Sequence, residues 1–191
     1  MKKRQFLTAA ALAGAALPAR AQGAPAHVRG PALLTLTGAV GKVNRPRFDP
    51  LRDQMMHKQK ISFERAYAFD FDALAALPAH TIKPTLEYDG KTHVLRGPLL
   101  VEVLAAAGAG AAATLVLRAV DGYAVSLPLA QARAQGFIVA THLDGEAMAL
   151  GGLGPLWAVY DADRVPAMAA RPLAERFALC PWALYHIDIQ I

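Results

Sequence analysis

The side chains able to do chemistry are sparse in this sequence. Six histidines (His27, His57, His80, His93, His142 and His186) show none of the short spacings that gather ligands round a metal. His142-Leu143-Asp144 could place two polar groups on one face of a strand, because alternate residues share a face. No third ligand accompanies them. Ser126 lies in no Gly-x-Ser-x-Gly elbow, so nothing marks it as a nucleophile. The single cysteine, Cys180, excludes an internal disulfide and any cysteine-based zinc cluster. Its neighbours Leu179 and Trp182 suggest apolar surroundings, which raise a thiol's pKa and predict a packing role. Arg96 and Arg118 read as surface cations, with pocket cations as the alternative.

What the sequence offers instead is a stretch that a ligand could approach, Asp121 to Tyr160. It opens with an Asp121-Gly122 turn and a short alternating strand, Ala124 to Leu127. A second strand is expected over Phe137 to Leu143, then a turn at Asp144-Gly145 and a glycine-rich loop (Gly151, Gly152, Gly154). An apolar run, Pro155 to Tyr160, closes it. Three strands joined by such turns would form a sheet, and glycine leaves backbone N–H groups uncovered. Two readings of the glycine loop stay open: ligand contact, or the turn alone.

The elements that must position this stretch follow from periodicity and punctuation. Leu33 to Thr37 predicts a strand. Gly41 to Lys60, polar and interrupted by Pro46 and Pro50, predicts a long loop. It is either a solvated excursion or a cover in which Met55-Met56-His57 lies over a pocket. Ile61 to Phe69 alternates as a strand does. Asp70 or Asp72 can cap a short helix that Pro78 stops. Thr81 to Tyr88 is extended, and Asp89-Gly90 turns it back. Pro98 suits the first turn of a helix with Leu99, Leu100, Val103 and Leu104 as its apolar face, ended by Gly108. Leu115 to Val120 is another strand, Pro128 to Ala134 a short helix, and Trp182 to Ile191 the last strand. Short strands with a few short helices predict an α+β fold of mixed sheets.

The start of the chain reads as an export signal. Lys2, Lys3 and Arg4 precede an apolar run from Phe6 to Leu17, and Ala19-Arg20-Ala21 fits a cleavage site. That run is too short to span a bilayer. Lys3-Arg4-Gln5-Phe6-Leu7 also resembles the twin-arginine export motif. The expected division is a cleaved signal at 1–21, a flexible leader at 22–30 and one domain at 31–191. The whole chain carries +5, but removing the signal leaves 16 basic against 15 acidic residues. So small a balance gives no reason to expect a nucleic-acid partner. With 54% apolar residues the chain can bury a substantial core, and no later run is long enough to cross a membrane.

The order of these pieces resembles a known family. Leu95-Arg96-Gly97-Pro98-Leu99-Leu100-Val101-Glu102-Val103-Leu104 with Gly108 is similar to the Gly-x-Pro-Leu helix segment of the oxidoreductase molybdopterin-binding domain, the sulfite-oxidase type. Asp121-Gly122-Tyr123 running to Leu127-Pro128 resembles that family's Asp-Gly-Tyr strand. Asp144-Gly145-Glu146, Gly154-Pro155-Leu156 and Trp182 with the terminal strand resemble its later turns and ending. The resemblance covers residues 31–191 and implies the family's mixed α+β fold.

The departures point away from the enzymes. In those, a cysteine thiolate that binds molybdenum lies about a dozen residues before the helix-start glycine. Here that place falls near Thr85, and no cysteine lies between Lys83 and Arg96. A hydroxyl does not replace a soft thiolate at such a centre. The enzymes' His and Arg around the late loop correspond to Leu153 and Trp157. The chain looks more like small exported members that lack the molybdenum ligand. Some of those bind reduced pterins in the periplasm and report to a membrane-bound cyclic-di-GMP enzyme. The resemblance thus implies a periplasmic protein that binds a pterin or molybdopterin-like ligand without ligating molybdenum. Its partner would be a membrane-bound cyclic-di-GMP enzyme or sensor kinase. The alternative is a molybdenum-cofactor-dependent oxidoreductase. A pterin is flat with a polar edge and needs an aromatic face and a few backbone donors. Tyr123, Trp157, Tyr160 and Trp182 are the candidate faces, and Gly152 to Gly154, with Gly152 and Gly154 foremost, the candidate donors.

Overall fold

The computed structural model describes residues 30–110 and 112–191. The expected signal at 1–21 lies outside the described residues, as does the leader at 22–30 except for Gly30. In chain order the strands are β1 (Leu34–Gly38), β2 (Tyr67–Phe69), β3 (Ala79–Ile82), β4 (Leu95–Pro98), β5 (Thr114–Ala119), β6 (Ala124–Pro128), β7 (Ile138–Ala140), β8 (His142–Leu143), β9 (Glu146–Ala147), β10 (Trp157–Val159) and β11 (Leu184–Gln190). The α-helices are α1 (Gln54–Lys58), α2 (Phe71–Ala75), α3 (Leu100–Ala106), α4 (Leu129–Gln135) and α5 (Pro166–Ala169). Among the described residues no helix is long and apolar enough to cross a membrane.

The largest sheet has five strands in the order β2-β1-β11-β5-β6. β1 and β11, the first and last strands among the described residues, pair in parallel at its centre, with Thr35 opposite His186; its other pairs are antiparallel. Strand alternation sets the two faces. Leu34, Leu36, Leu115, Leu117, Ile187 and Ile189 point into the main core and are nearly fully buried. Removing each such side chain from water stabilises the fold by about 1.5–3 kcal/mol. Thr35, Thr37 and His186 lie on the opposite face and are buried as well. There Thr37 Oγ1 donates to Asp188 Oδ1 at 3.1 Å, so its oxygen accepts from His186 Nε2–H at 2.9 Å. Burial pushes the His186 imidazole pKa down to about 4, so the ring stays neutral.

Local signals place the helices. Asp70 Oδ1 accepts from Ala73 N–H at 2.8 Å and caps α2. Glu102 Oε2 accepts from Leu99 N–H at 3.1 Å at the start of α3. Gly108, at φ +74°, ends that helix. Its N–H and that of Ala109 donate to the carbonyls of Ala105 and Leu104, the left-handed cap that favours glycine.

Several expectations are corrected. Pro98 is not a helical residue but the last of β4, and α3 begins two residues later. Gly97 marks neither a turn nor a helix start: a Cβ there would meet Val139 O at 2.0 Å, so it allows β4 to cross β7. The strand expected over Phe137–Leu143 splits into β7, paired with β10, and β8, paired with β4 and β9. Of the three strands expected to share one sheet, β7 and β10 pair with each other, while β6 lies in the five-stranded sheet and β8 in a third. Of Ile61–Phe69 only the last three residues are strand. The Gly41–Lys60 segment carries α1, which buries Met56 against Phe63, Ala66 and Tyr185. That match of apolar faces overrides the solvated reading.

Candidate aromatic binding cleft

Among the described residues three large aromatic side chains are exposed: Tyr88 (54%), Tyr123 (49%) and Trp182 (40%). All three line one cleft of about 280 Å³. Turns hold them there. Tyr88 precedes the Asp89-Gly90 turn, where Gly90 has φ +68° and donates to the Leu86 carbonyl at 3.0 Å. Tyr123 follows the turn between β5 and β6. Its N–H donates to Asp121 Oδ1 at 2.8 Å, and its hydroxyl donates to the Ala178 carbonyl at 2.7 Å. Trp182 enters just ahead of β11. Next to it, Ala183 N–H donates to the Leu153 carbonyl at 3.0 Å, and the Ala183 carbonyl accepts from Val120 N–H at 3.1 Å.

Buried Phe177 and Cys180 also line the cleft, as do the carboxylates of Glu87 and Asp121. Among the described residues the lining contains no Lys, Arg or His. Burial, and then the negative charge of Glu87, push the Tyr88 phenol pKa up to about 12. Burial likewise drives the Cys180 thiol far above its ordinary value, so it remains protonated. Such a cleft can take a flat ring between aromatic faces and meet N–H donors on its edge with carboxylates. Its described residues offer no cation to neutralise a phosphate.

The structure brings together two of the expected site residues, Tyr123 and Trp182. Trp157 and Tyr160 are corrected from ligand faces to core. Trp157 is fully buried and gives its indole N–H to the Cys180 carbonyl at 2.9 Å. Tyr160 stacks on Phe137 with centroids 4.8 Å apart, and its hydroxyl donates to the Arg176 carbonyl at 2.7 Å. Neither ring leaves a face for a ligand. Gly152 and Gly154 lie in a loop that does not line the aromatic cleft. Gly152 N–H closes a turn onto the Ala149 carbonyl at 3.3 Å. Gly154 is needed for packing, since a Cβ there would sit 2.5 Å from Met148 Cβ.

The other expected polar groups are dispersed. His142 packs on Phe71 at 5.6 Å, while Asp144 turns to His93 Nδ1 at 2.6 Å. Among the described residues no group of three His, Cys, Asp or Glu stands where it could hold a metal. Arg96 is exposed. Arg118 is only half-exposed, opposite His186, and its Nε makes no hydrogen bond among the described residues. Thr85, near the place where a molybdenum ligand would be expected, gives its N–H to Asp163 Oδ2 at 2.7 Å. Sequence reasoning missed Tyr88, Glu87, Asp121 and Phe177. An aromatic beside the Asp89-Gly90 turn was the available signal for Tyr88.

The fold has counterparts among solved structures. The chain is similar to the sulfane dehydrogenase SoxCD from Paracoccus pantotrophus, with a TM-score of 0.53 and 15% identity. The match covers 82% of this chain but only 37% of that one, so this chain spans little more than a third of its length. No family model and no curated protein matches the chain. At this identity the likeness speaks for architecture alone, a mixed α+β fold shared with the matched part of that enzyme, in keeping with the fold that the sulfite-oxidase-type resemblance implies.

Proposed function

We propose that this chain is an exported, non-catalytic binding protein that holds a reduced, unphosphorylated pterin in the aromatic cleft. The observation that carries the reading is the convergence of Tyr88, Tyr123 and Trp182 with Glu87 and Asp121. Aromatic faces suit a bicyclic ring, and carboxylates suit its amino and ring N–H donors. A phosphorylated, metal-bearing pterin fits these residues poorly. Among the described residues the cleft lining provides no cation for a phosphate, and the Cys180 thiol is held protonated by burial. Loading of the cleft would be reported to a membrane-bound cyclic-di-GMP enzyme or sensor kinase in the periplasm. The export signal read at residues 1–21 supports that location.

The test is titration of the chain with tetrahydrobiopterin, followed by calorimetry and tryptophan fluorescence. Half-exposed Trp182 is the expected reporter. Tyr123→Ala and Trp182→Ala should each weaken binding by about 1–3 kcal/mol, taking stacking on nucleic-acid bases as the analogue. Absence of heat and of fluorescence change at high micromolar ligand would reject the reading. Stoichiometric molybdenum in protein isolated from its own periplasm would replace it with a molybdenum-dependent oxidoreductase.

A further inference from the structure

A second cleft, of about 250 Å³, flanks the same backbone as the first. Val120 and Leu184 line it, whereas Asp121 and Trp182 line the aromatic cleft. Its walls are mainly apolar: Met55 and Met56 from α1, Leu150 and Pro155 from the two ends of the glycine loop, and Leu184. Met56 is buried, but Met55 (43%) and Leu150 (71%) are exposed. Two large apolar side chains thus stand in water at an apolar cleft. Methionine is unbranched and polarizable, so it can mould itself to ligands of different shape.

The charge of this cleft is opposite to that of the aromatic one. Arg45 and Arg52 both line it, against one carboxylate, Asp53. Arg45 is already committed: it binds Asp53 Oδ1 and Thr35 Oγ1 and lies over the Phe63 ring at 5.4 Å. Exposed Arg52 makes no ion pair among the described residues. The nearby Asp49 carboxylate is taken by the backbone N–H groups of Leu51 and Arg52, at 2.9 and 2.8 Å. Arg52 therefore stands at an apolar cavity with no direct ion pair, though the field of its charge reaches the neighbouring Asp49. A planar fork of N–H donors is suited to pair with a carboxylate.

We propose that this cleft is a second binding site, selective for a small organic anion that carries a carboxylate on a compact apolar body. The carboxylate meets Arg52, and the body lies between Met55, Met56 and Leu150. The inference does not depend on what the aromatic cleft binds.

Phenylacetate is the probe, added to the chain labelled with ¹³C at its methionine methyl groups. Met55 and Met56 resonances should shift and saturate at millimolar probe or below, while that of Met168, which does not line the cleft, stays in place. Phenylacetamide, the uncharged isostere, should bind roughly tenfold more weakly, and Arg52→Gln should cause a similar loss. Leu150→Asp, at an exposed position, should abolish binding while leaving the thermal midpoint unchanged. Tyr123→Ala should leave phenylacetate binding intact, which separates this site from the aromatic cleft. Three outcomes would each overturn the proposal: no methyl shift at high millimolar phenylacetate, equal affinity for the amide, or full affinity in Arg52→Gln.

Discussion

The indole N–H of Trp157 donates to the carbonyl of Cys180 at 2.9 Å, across 23 residues of chain. This bond joins the buried strand β10 to the segment that presents Trp182. Trp157 therefore supports the aromatic cleft from behind. Trp157→Phe should leave the Cys180 carbonyl unpartnered and cost about 1–3 kcal/mol. Trp157→Ala should cost about 3–5 kcal/mol through the cavity it opens. Urea unfolding checks both. Loss of pterin binding by Trp157→Phe with no loss of stability would show that the ring faces a ligand after all.

Cys180 is expected to be inert. Burial raises its thiol, and no second cysteine exists in the chain to pair with it. A thiol reagent at pH 8 should label the folded protein only at the rate of its unfolding. Cys180→Ser should cost about 1 kcal/mol, the ordinary size of a point change, and leave ligand binding near wild type. Rapid labelling of the native protein would contradict this.

His93 forms a pH-dependent clip between two turns. Its Nδ1 meets Asp144 Oδ2 at 2.6 Å and its Nε2 meets Asp89 Oδ2 at 3.1 Å. The hydrogen bond to Asp144, then that to Asp89, raises the imidazole above its ordinary 6.5. A raised folded pKa stabilises fully below the unfolded value, and the gain is lost as pH rises through the folded one. The two aspartates are depressed below their ordinary 3.8, chiefly by backbone N–H bonds from Val94 to Asp144 and from Lys91 to Asp89, and then by His93. Their contribution is present above that value and is lost as pH falls through the folded one. The clip is thus strongest from the ordinary carboxylate range up to the folded His93 pKa. In thermal melts of wild type and His93→Ala, the difference should be largest near pH 6 and shrink toward pH 9. A difference independent of pH would assign His93 a packing role only.

Two glycines should respond very differently to alanine. Gly97→Ala would drive a methyl into the Val139 carbonyl and separate β4 from β7. A loss of about 3 kcal/mol is expected, at the upper end for overpacking. At Gly152 the nearest contact for a Cβ is Ala149 O at 3.7 Å, so Gly152→Ala should change stability by less than about 0.5 kcal/mol. It should also leave pterin binding unchanged, because this loop does not line the aromatic cleft. Parallel melting and titration of the two variants measure both.

What the sequence determined by itself is local. The cap at Asp70 or Asp72, of which the structure uses Asp70, the left-handed turns at Gly90, Gly122 and Gly145, and the stop at Gly108 all depend on a few adjacent residues. The strands expected over Leu33–Thr37 and Leu115–Val120 are likewise present, each shifted by one residue, as Leu34–Gly38 and Thr114–Ala119. The uninterrupted apolar run from Leu156 to Tyr160 also carried a usable signal. A strand with no polar face is buried on both sides, and so is Trp157. Only the tertiary structure decided which aromatics stand exposed at a cleft. Tyr88, Tyr123 and Trp182 meet because three turns, far apart in the chain, converge on one cleft. Pairing in parallel at the centre of the main sheet, β1 and β11 join the two ends of the domain. Such contacts depend on which buried faces match across a hundred residues or more, and no local spacing encodes that match.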